Sequence, residues 1–148
     1  MFTQDVGFAS VLEIKRFHTD AIVPTRGSAG AAGHDLYSVE EVVIPPNSLE
    51  LVSTGIGVRL PMNCYFRIAP RSGLSLKGID ILAGVVDADW RGECKVVMFN
   101  HNDKEYRVSK GDRIAQGILE RIIVPRVVEV DDFEDTKRGA NGFGSTGV

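Results

Sequence analysis

The stretch Gly84-Val85-Val86-Asp87-Ala88-Asp89-Trp90-Arg91-Gly92 sets carboxylates and a broad aromatic ring between apolar runs. Apolar residues enter it from Ile79, and β-branched residues leave it through Val96 and Val97. The pattern reads as a β-hairpin whose turn holds charge at a fixed place. A carboxylate held that way can orient and polarise a water. An ordinary hairpin with an Asx turn accounts for the same residues. A second chemical grouping closes the chain, from Arg138 through Gly139, Gly142, Phe143, Gly144, Ser145, Thr146 and Gly147. Glycines let backbone N–H groups converge on an anion, hydroxyls add donors, and one arginine completes a phosphate clamp. The run matches no Walker pattern, and a disordered tail is its plain alternative.

Such groups need a scaffold, and the chain spells out short strands. Residues 1–10 read as a loose leader. Val11 to Phe17 alternates well enough for a first strand. A Gly/Ala/Pro-rich loop from Pro24 to Gly33 delivers Ala32-Gly33-His34-Asp35-Leu36-Tyr37-Ser38. Val42 to Ile44 stops at Pro45-Pro46-Asn47, a turn by composition. Leu49 to Ser53, Gly55 to Leu60 and Cys64 to Ala69 follow as strands. Pro70 to Gly78 holds the one short helix, starting near Pro70 or Ser72. Beyond the hairpin come Glu105 to Val108, Ile114 to Val124 (strand over helix because of its β-branched content and Pro125) and a last strand, Val127 to Val130. Many short strands at regular intervals predict an all-β sandwich or barrel-like fold. The β domain spans 11–130, and from Asp131 to the end the composition turns acidic and then Gly-rich, as an arm.

Composition removes several function classes. At 148 residues the chain is one domain with room for a core. A net charge of −3 argues against a general nucleic-acid binder, and no stretch approaches the ~20 apolar residues that span a bilayer. Cys64 and Cys94 have no metal-ligand spacing and are too few for a disulfide scaffold, which points to a reducing cytoplasmic or nuclear location. His18, His34 and His101 are scattered singly and make no zinc site.

The segments Ala32–Ser38, Arg71–Gly78, Gly84–Gly92, Gly111–Gln116 and Arg138–Gly147, in this order, resemble the trimeric all-β dUTPases (deoxyuridine triphosphate nucleotidohydrolases). The nearest verbal matches are Arg71-Ser72-Gly73-Leu74-Ser75, Gly111-Asp112-Arg113-Ile114-Ala115-Gln116 and Gly142-Phe143-Gly144-Ser145-Thr146-Gly147. The resemblance implies a jelly-roll-like β fold with a mobile Gly-rich C-terminal tail, and a homotrimer whose subunits share each site. It also implies Mg2+-assisted hydrolysis of dUTP to dUMP and pyrophosphate, which keeps uracil out of DNA and supplies dUMP for thymidylate synthesis.

The resemblance assigns roles residue by residue. Asp87 is the water-activating carboxylate, acting mainly by holding water in line with the α-phosphorus. Asp35 holds a hydrated magnesium through water, and Gln116 assists there or at a phosphate oxygen. Ser72 and the Gly73 amide bind the inner phosphates, and Arg71 buttresses that loop by pairing with a carboxylate. Gly84, Val85 and Val86 read uracil through the backbone. A backbone set for uracil leaves groups unpaired against cytosine, and close approach at Gly84 crowds out thymine's methyl group. Trp90 stands under the sugar where the family usually has tyrosine, so a phenol contact is lost there. Phe143 stacks on the base, while Arg138, Gly144, Ser145 and Thr146 clamp the γ-phosphate.

Two rival readings differ in class. The dCTP deaminases share the fold and a tryptophan in the Asp-x-x-Trp-x-Gly pattern, but this chain has Val97 where they carry the catalytic glutamate and Leu76 where they carry an arginine. Without that acid–base group, attack at C4 has no proton shuttle. A non-enzymatic binding module on the same scaffold would have shed motif residues, and Asp35, Ser72, Asp87, Gln116, Arg138 and Phe143 are all present.

Overall fold

A computed structural model of the chain describes residues 10–145 and 147. The leader lies outside them except for Ser10, and so does Thr146. The elements run β1 (Glu13–Arg16), β2 (Gly33–Tyr37), β3 (Val42–Ile44), β4 (Ser48–Ser53), β5 (Ile56–Arg59), β6 (Cys64–Ala69), α1 (Ser72–Ser75), β7 (Ile79–Leu82), β8 (Val85–Val86), β9 (Lys95–Asn100), β10 (Tyr106–Val108) and β11 (Arg113–Arg121). The fold is nearly all β with one single-turn helix, as the strand pattern predicts.

The larger sheets have strand orders β2-β11-β6-β8 and β4-β9-β7, and the ribbons β1-β5 and β10-β3 complete the set. Both large sheets feed one buried cluster: Leu36, Phe66, Ile68, Val86 and Ile114 from the first, Val52, Ile79, Val96 and Met98 from the second. Strand alternation produces this. On β9, Val96, Met98 and Asn100 point inward while Lys95, Val97 and Phe99 point away. Each large apolar side chain so buried contributes about 1.5–3 kcal/mol. Asn100, fully buried on the inward face of β9, is satisfied by donating from Nδ2 to the carbonyls of Ile44 (3.1 Å) and Lys104 (2.8 Å).

The structure corrects the sequence reading in several places. Ala32–Ser38 is not merely loop-delivered: Gly33–Tyr37 forms β2, paired with β11 from Tyr37↔Arg113 to Gly33↔Ile118. The expected hairpin is broken in the middle. Its arms do pair, with β7 antiparallel to β9 from Ile79↔Asn100 to Leu82↔Val97. Between them Ala83 (φ 57°) and Gly84 (φ 91°) turn the chain out of that sheet, and Val85–Val86 joins the edge of the other one, with Val86 opposite Phe66 and Val85 opposite Arg67. Val127 to Val130 forms no strand. Among the described residues no strand lies beside it, and Val127 is 93% exposed. The last strand ends at Arg121, and every residue from 121 to 141 is exposed.

Candidate active site

The departure of β8 from the hairpin opens a cavity. β8 has a neighbour on one side only, β6. β7 reaches along β9 only as far as Val97, so on that side no described strand lies beside Lys95 and Val96, which pair with β4 on the other. A cavity of about 680 Å3 lies between these edges, lined by Val85, Val86, Asp87, Trp90 and the run Gly92 to Lys95. That size suits a small ligand, and the unpaired strand edges offer it backbone N–H and C=O groups.

Local contacts hold the walls. Ile68 donates its N–H to the Gly84 carbonyl at 2.7 Å. A Cβ on Gly84 would sit 2.4 Å from the Ile68 carbonyl oxygen, so this glycine answers both a left-handed φ and a strand-to-strand contact. The Asp87 carbonyl accepts from the Trp90 N–H at 3.1 Å, closing a turn that leaves the Asp87 side chain exposed. Trp90 is fixed at both ends: Nε1 donates to the Glu93 carbonyl at 3.2 Å, and the ring lies where a Gly92 Cβ would be, 2.3 Å from Cζ2. On the far wall, Glu93 Oε1 accepts from Gly55 N–H at 2.7 Å, and the Cys94 N–H donates to Ile56 at 2.7 Å. Burial, reinforced by the Glu93 charge, pushes the Cys94 thiol up to about 11.

A second group gathers on β2, β6 and β11. Arg71 Nε lies 3.4 Å from Asp35 Oδ1, and Arg113 Nη1 lies 3.7 Å from Asp35 Oδ2. Arg71 Nη1 also donates to the Arg113 carbonyl at 3.2 Å. Arg71 therefore pairs with a carboxylate as expected, and that carboxylate is Asp35. Gln116 Nε2 donates to the Pro70 carbonyl at 2.9 Å. Ser72 and Gly73 open α1 and are exposed, with no atom within 4 Å of where a Gly73 Cβ would be. Sequence reasoning assigned nothing to Pro70, Arg113, Glu93 or Lys95. Arg113 lies inside one of the matching segments, and the pairing of β2 with β11 brings it to Asp35.

Among the described residues no group of three or more His, Cys, Asp or Glu side chains could hold a metal. Asp35 stands as a lone carboxylate with its oxygens turned toward guanidinium groups. Such a donor fits a magnesium ion that keeps its waters and takes phosphate oxygens, and does not fit an all-protein cage.

The tail residues form a third group, apart from the other two. Arg138 Nε donates to the Asn141 carbonyl at 2.9 Å and Ser145 N–H to the Gly142 carbonyl at 3.0 Å. Phe143 is fully exposed with φ 51°, and Gly144 has φ 76°. Among the described residues, the cavity is lined by none of Asp35, Arg71, Ser72, Gly73, Gln116 or the tail residues.

Known proteins resemble this chain in sequence and in fold. The family model described as dUTPase matches residues 19–147. The deoxyuridine 5'-triphosphate nucleotidohydrolase of Paramecium bursaria Chlorella virus 1 is 54% identical over 140 residues, covering 94% of this chain and 99% of that one. The protein of the same name from Saccharomyces cerevisiae is 51% identical over 139 residues, covering 93% and 95%. Among solved structures, a Staphylococcus bacteriophage 80alpha dUTPase with dUPNHPP superposes with a TM-score of 0.86 at 29% identity, covering 93% of this chain and 99% of that one. The chain belongs to the dUTPase family.

Proposed function

We propose that the protein hydrolyses dUTP to dUMP and pyrophosphate, with uracil between the facing edges of β8 and β9 and Asp87 directing the attacking water at the α-phosphorus. The observation that carries this is the cavity itself: two free strand edges with Asp87 and Trp90 on its wall, in a chain half identical to proteins named for this activity. Backbone groups of Val85 and Val86 pair with the uracil edge; cytosine reverses a donor there and leaves groups unpaired. Gly84 keeps that edge close to the base, and Trp90, pinned on Gly92, presents its ring to the sugar. Asp87 accepts the water's proton at its carboxylate as the oxygen–phosphorus bond forms and pyrophosphate leaves opposite.

Ser72 and the Gly73 amide receive the phosphates, with Arg71 and Gln116 beside them. Asp35 holds through water a hydrated Mg2+ on the triphosphate, where that ion supplies charge neutralisation. Arg138, Phe143, Gly144, Ser145 and Thr146 close over the nucleotide: the phenyl ring stacks on uracil and the remainder clamps the γ-phosphate. The β domain runs through residues 11–130, and 131–148 acts as the closing arm.

The residues required fall into three separate groups in one protomer, which favours a jelly-roll homotrimer whose subunits each contribute a group to a shared site. Cys64 and Cys94 are free, which suits an intracellular, reducing location, cytoplasmic or nuclear. Neither a nucleic acid nor a membrane is a partner in this reading. The product dUMP serves thymidylate synthesis, and dUTP removal keeps uracil out of DNA. The test is to incubate the purified chain with each deoxynucleoside and ribonucleoside triphosphate, with and without magnesium, and follow pyrophosphate. Selective release from dUTP is expected; ammonia release from dCTP would favour the deaminase instead.

A further inference from the structure

We propose that Gln116 is a positioning residue that clips the Pro70–Gly73 loop to the sheet, and that position 33 is glycine because the clip occupies its side-chain space. The inference rests on the assignment of Ser72 and Gly73 to the phosphates, and it gives Gln116 a mode of action that assignment lacks. Gln116 sits in the middle of the sheet, opposite Asp35 on β2 and Ala69 on β6. Its Nε2 donates at 2.9 Å to the carbonyl of Pro70, the residue between the end of β6 and the loop. On its other flank it leans into Gly33. A Cβ built there would lie 2.3 Å from Gln116 Oε1, 2.9 Å from Gln116 Cβ and 3.0 Å from Gln116 Cδ.

All three nearest atoms to the missing side chain thus belong to Gln116. Gly33 has no left-handed φ, so space, not backbone conformation, is what the glycine provides. The clip matters because the loop has little else to hold it. Ser72 and Gly73 are exposed, and only Leu74 is buried in α1. Position therefore comes from the two residues before them, Pro70 through Gln116 and Arg71 through Asp35 and the Arg113 carbonyl. A buried-side hydrogen bond of this kind contributes little to global stability but fixes geometry, and a displacement of about 1 Å in a phosphate-binding loop costs on the order of 100-fold in rate. One N–H of Gln116 Nε2 holds Pro70, and through that bond the side chain bears on the phosphates by way of the loop.

Two substitutions release the clip by opposite routes. Gln116→Met keeps the length and loses the donor; Gly33→Ala keeps the donor and displaces it. The readout is amide hydrogen exchange on the ligand-free protein with millisecond mixing. Leu74 and Ser75 donate to the Arg71 carbonyl and Leu76 to that of Ser72, so their amides report the loop. Both variants should exchange these amides about tenfold faster while Val96 and Met98 of β9 keep their protection, and kcat for dUTP should fall in both. Unchanged exchange at Leu74 to Leu76 in either variant overturns the proposal. So does an equal loss of protection across β9, which would make the effect one of global stability. Because exchange is read without nucleotide, a failure of dUTP as substrate would show separately, in a wild-type enzyme that releases no pyrophosphate.

Discussion

Arg71 and Asp35 form one ion pair, Nε to Oδ1 at 3.4 Å, with side chains only 28% and 17% exposed. Their sequence assignments had separate tasks, loop support for one and metal for the other. Joined, they tie the loop proposed to receive the phosphates to the carboxylate proposed to face the metal. Asp35→Asn keeps the shape but loses the charge facing two guanidinium groups. Turnover of dUTP should fall on the order of 100-fold, and the magnesium concentration for half-maximal rate should rise. A titration of rate against magnesium checks both. Arg71→Lys should retain part of the rate, since an ammonium replaces the charge but not the fork that also reaches the Arg113 carbonyl.

Gly84 carries the turn that opens the cavity. Gly84→Ala places a Cβ 2.4 Å from the Ile68 oxygen and imposes φ 91° on a substituted residue. The expected cost is about 2–3 kcal/mol, seen as a lower urea midpoint with an unchanged slope, together with weaker dUTP binding.

These two sites also mark how far the sequence could be read. Strands with a clear alternation or a proline stop were legible: Cys64–Ala69 was placed to the residue and Val42–Ile44 stopped at Pro45-Pro46. Long-range pairing was not. Nothing local announces that Ala83 and Gly84 take left-handed angles and send Val85–Val86 to β6, because the partner is distant in sequence. Val127 to Val130 has the composition of a strand but no neighbouring strand among the described residues. The Arg71–Asp35 pair depends likewise on β2, whose glycine-rich approach hid it. The candidate site residues come from the ordered segments and the family resemblance they carry, and their roles remain proposals.

The arm makes its own prediction. Among the described residues, the hydrogen bonds of Arg138 to Ser145 stay within the arm, reaching no farther than Thr136 and Gly147, and Phe143 is fully exposed. Ending the chain at Lys137 should leave the thermal midpoint within a few degrees and the oligomer intact, with dUTP turnover reduced about 100-fold or more. Melting curves and pyrophosphate release measure the two halves of that statement.

Cys94 gives a pH dependence with a defined sign. Its folded thiol is raised from 9.0 to about 11 by burial, so the folded state holds this proton more tightly than the unfolded one. The contribution is fully present below pH 9 and is lost as pH rises toward 11, amounting to about 2–3 kcal/mol. Urea unfolding across that range should show the decline, reduced in Cys94→Ala. At neutral pH iodoacetamide should label Cys64 and leave buried Cys94 unmodified.

The account turns on water delivered by Asp87 to the α-phosphorus. Turnover of dUTP in H2 18O, followed by mass spectrometry of both products, tests this directly. The label should appear in dUMP and not in pyrophosphate, and Asp87→Asn should slow its incorporation by about 100-fold or more while dUTP still binds. Label in pyrophosphate, or undiminished incorporation in Asp87→Asn, would contradict the mechanism.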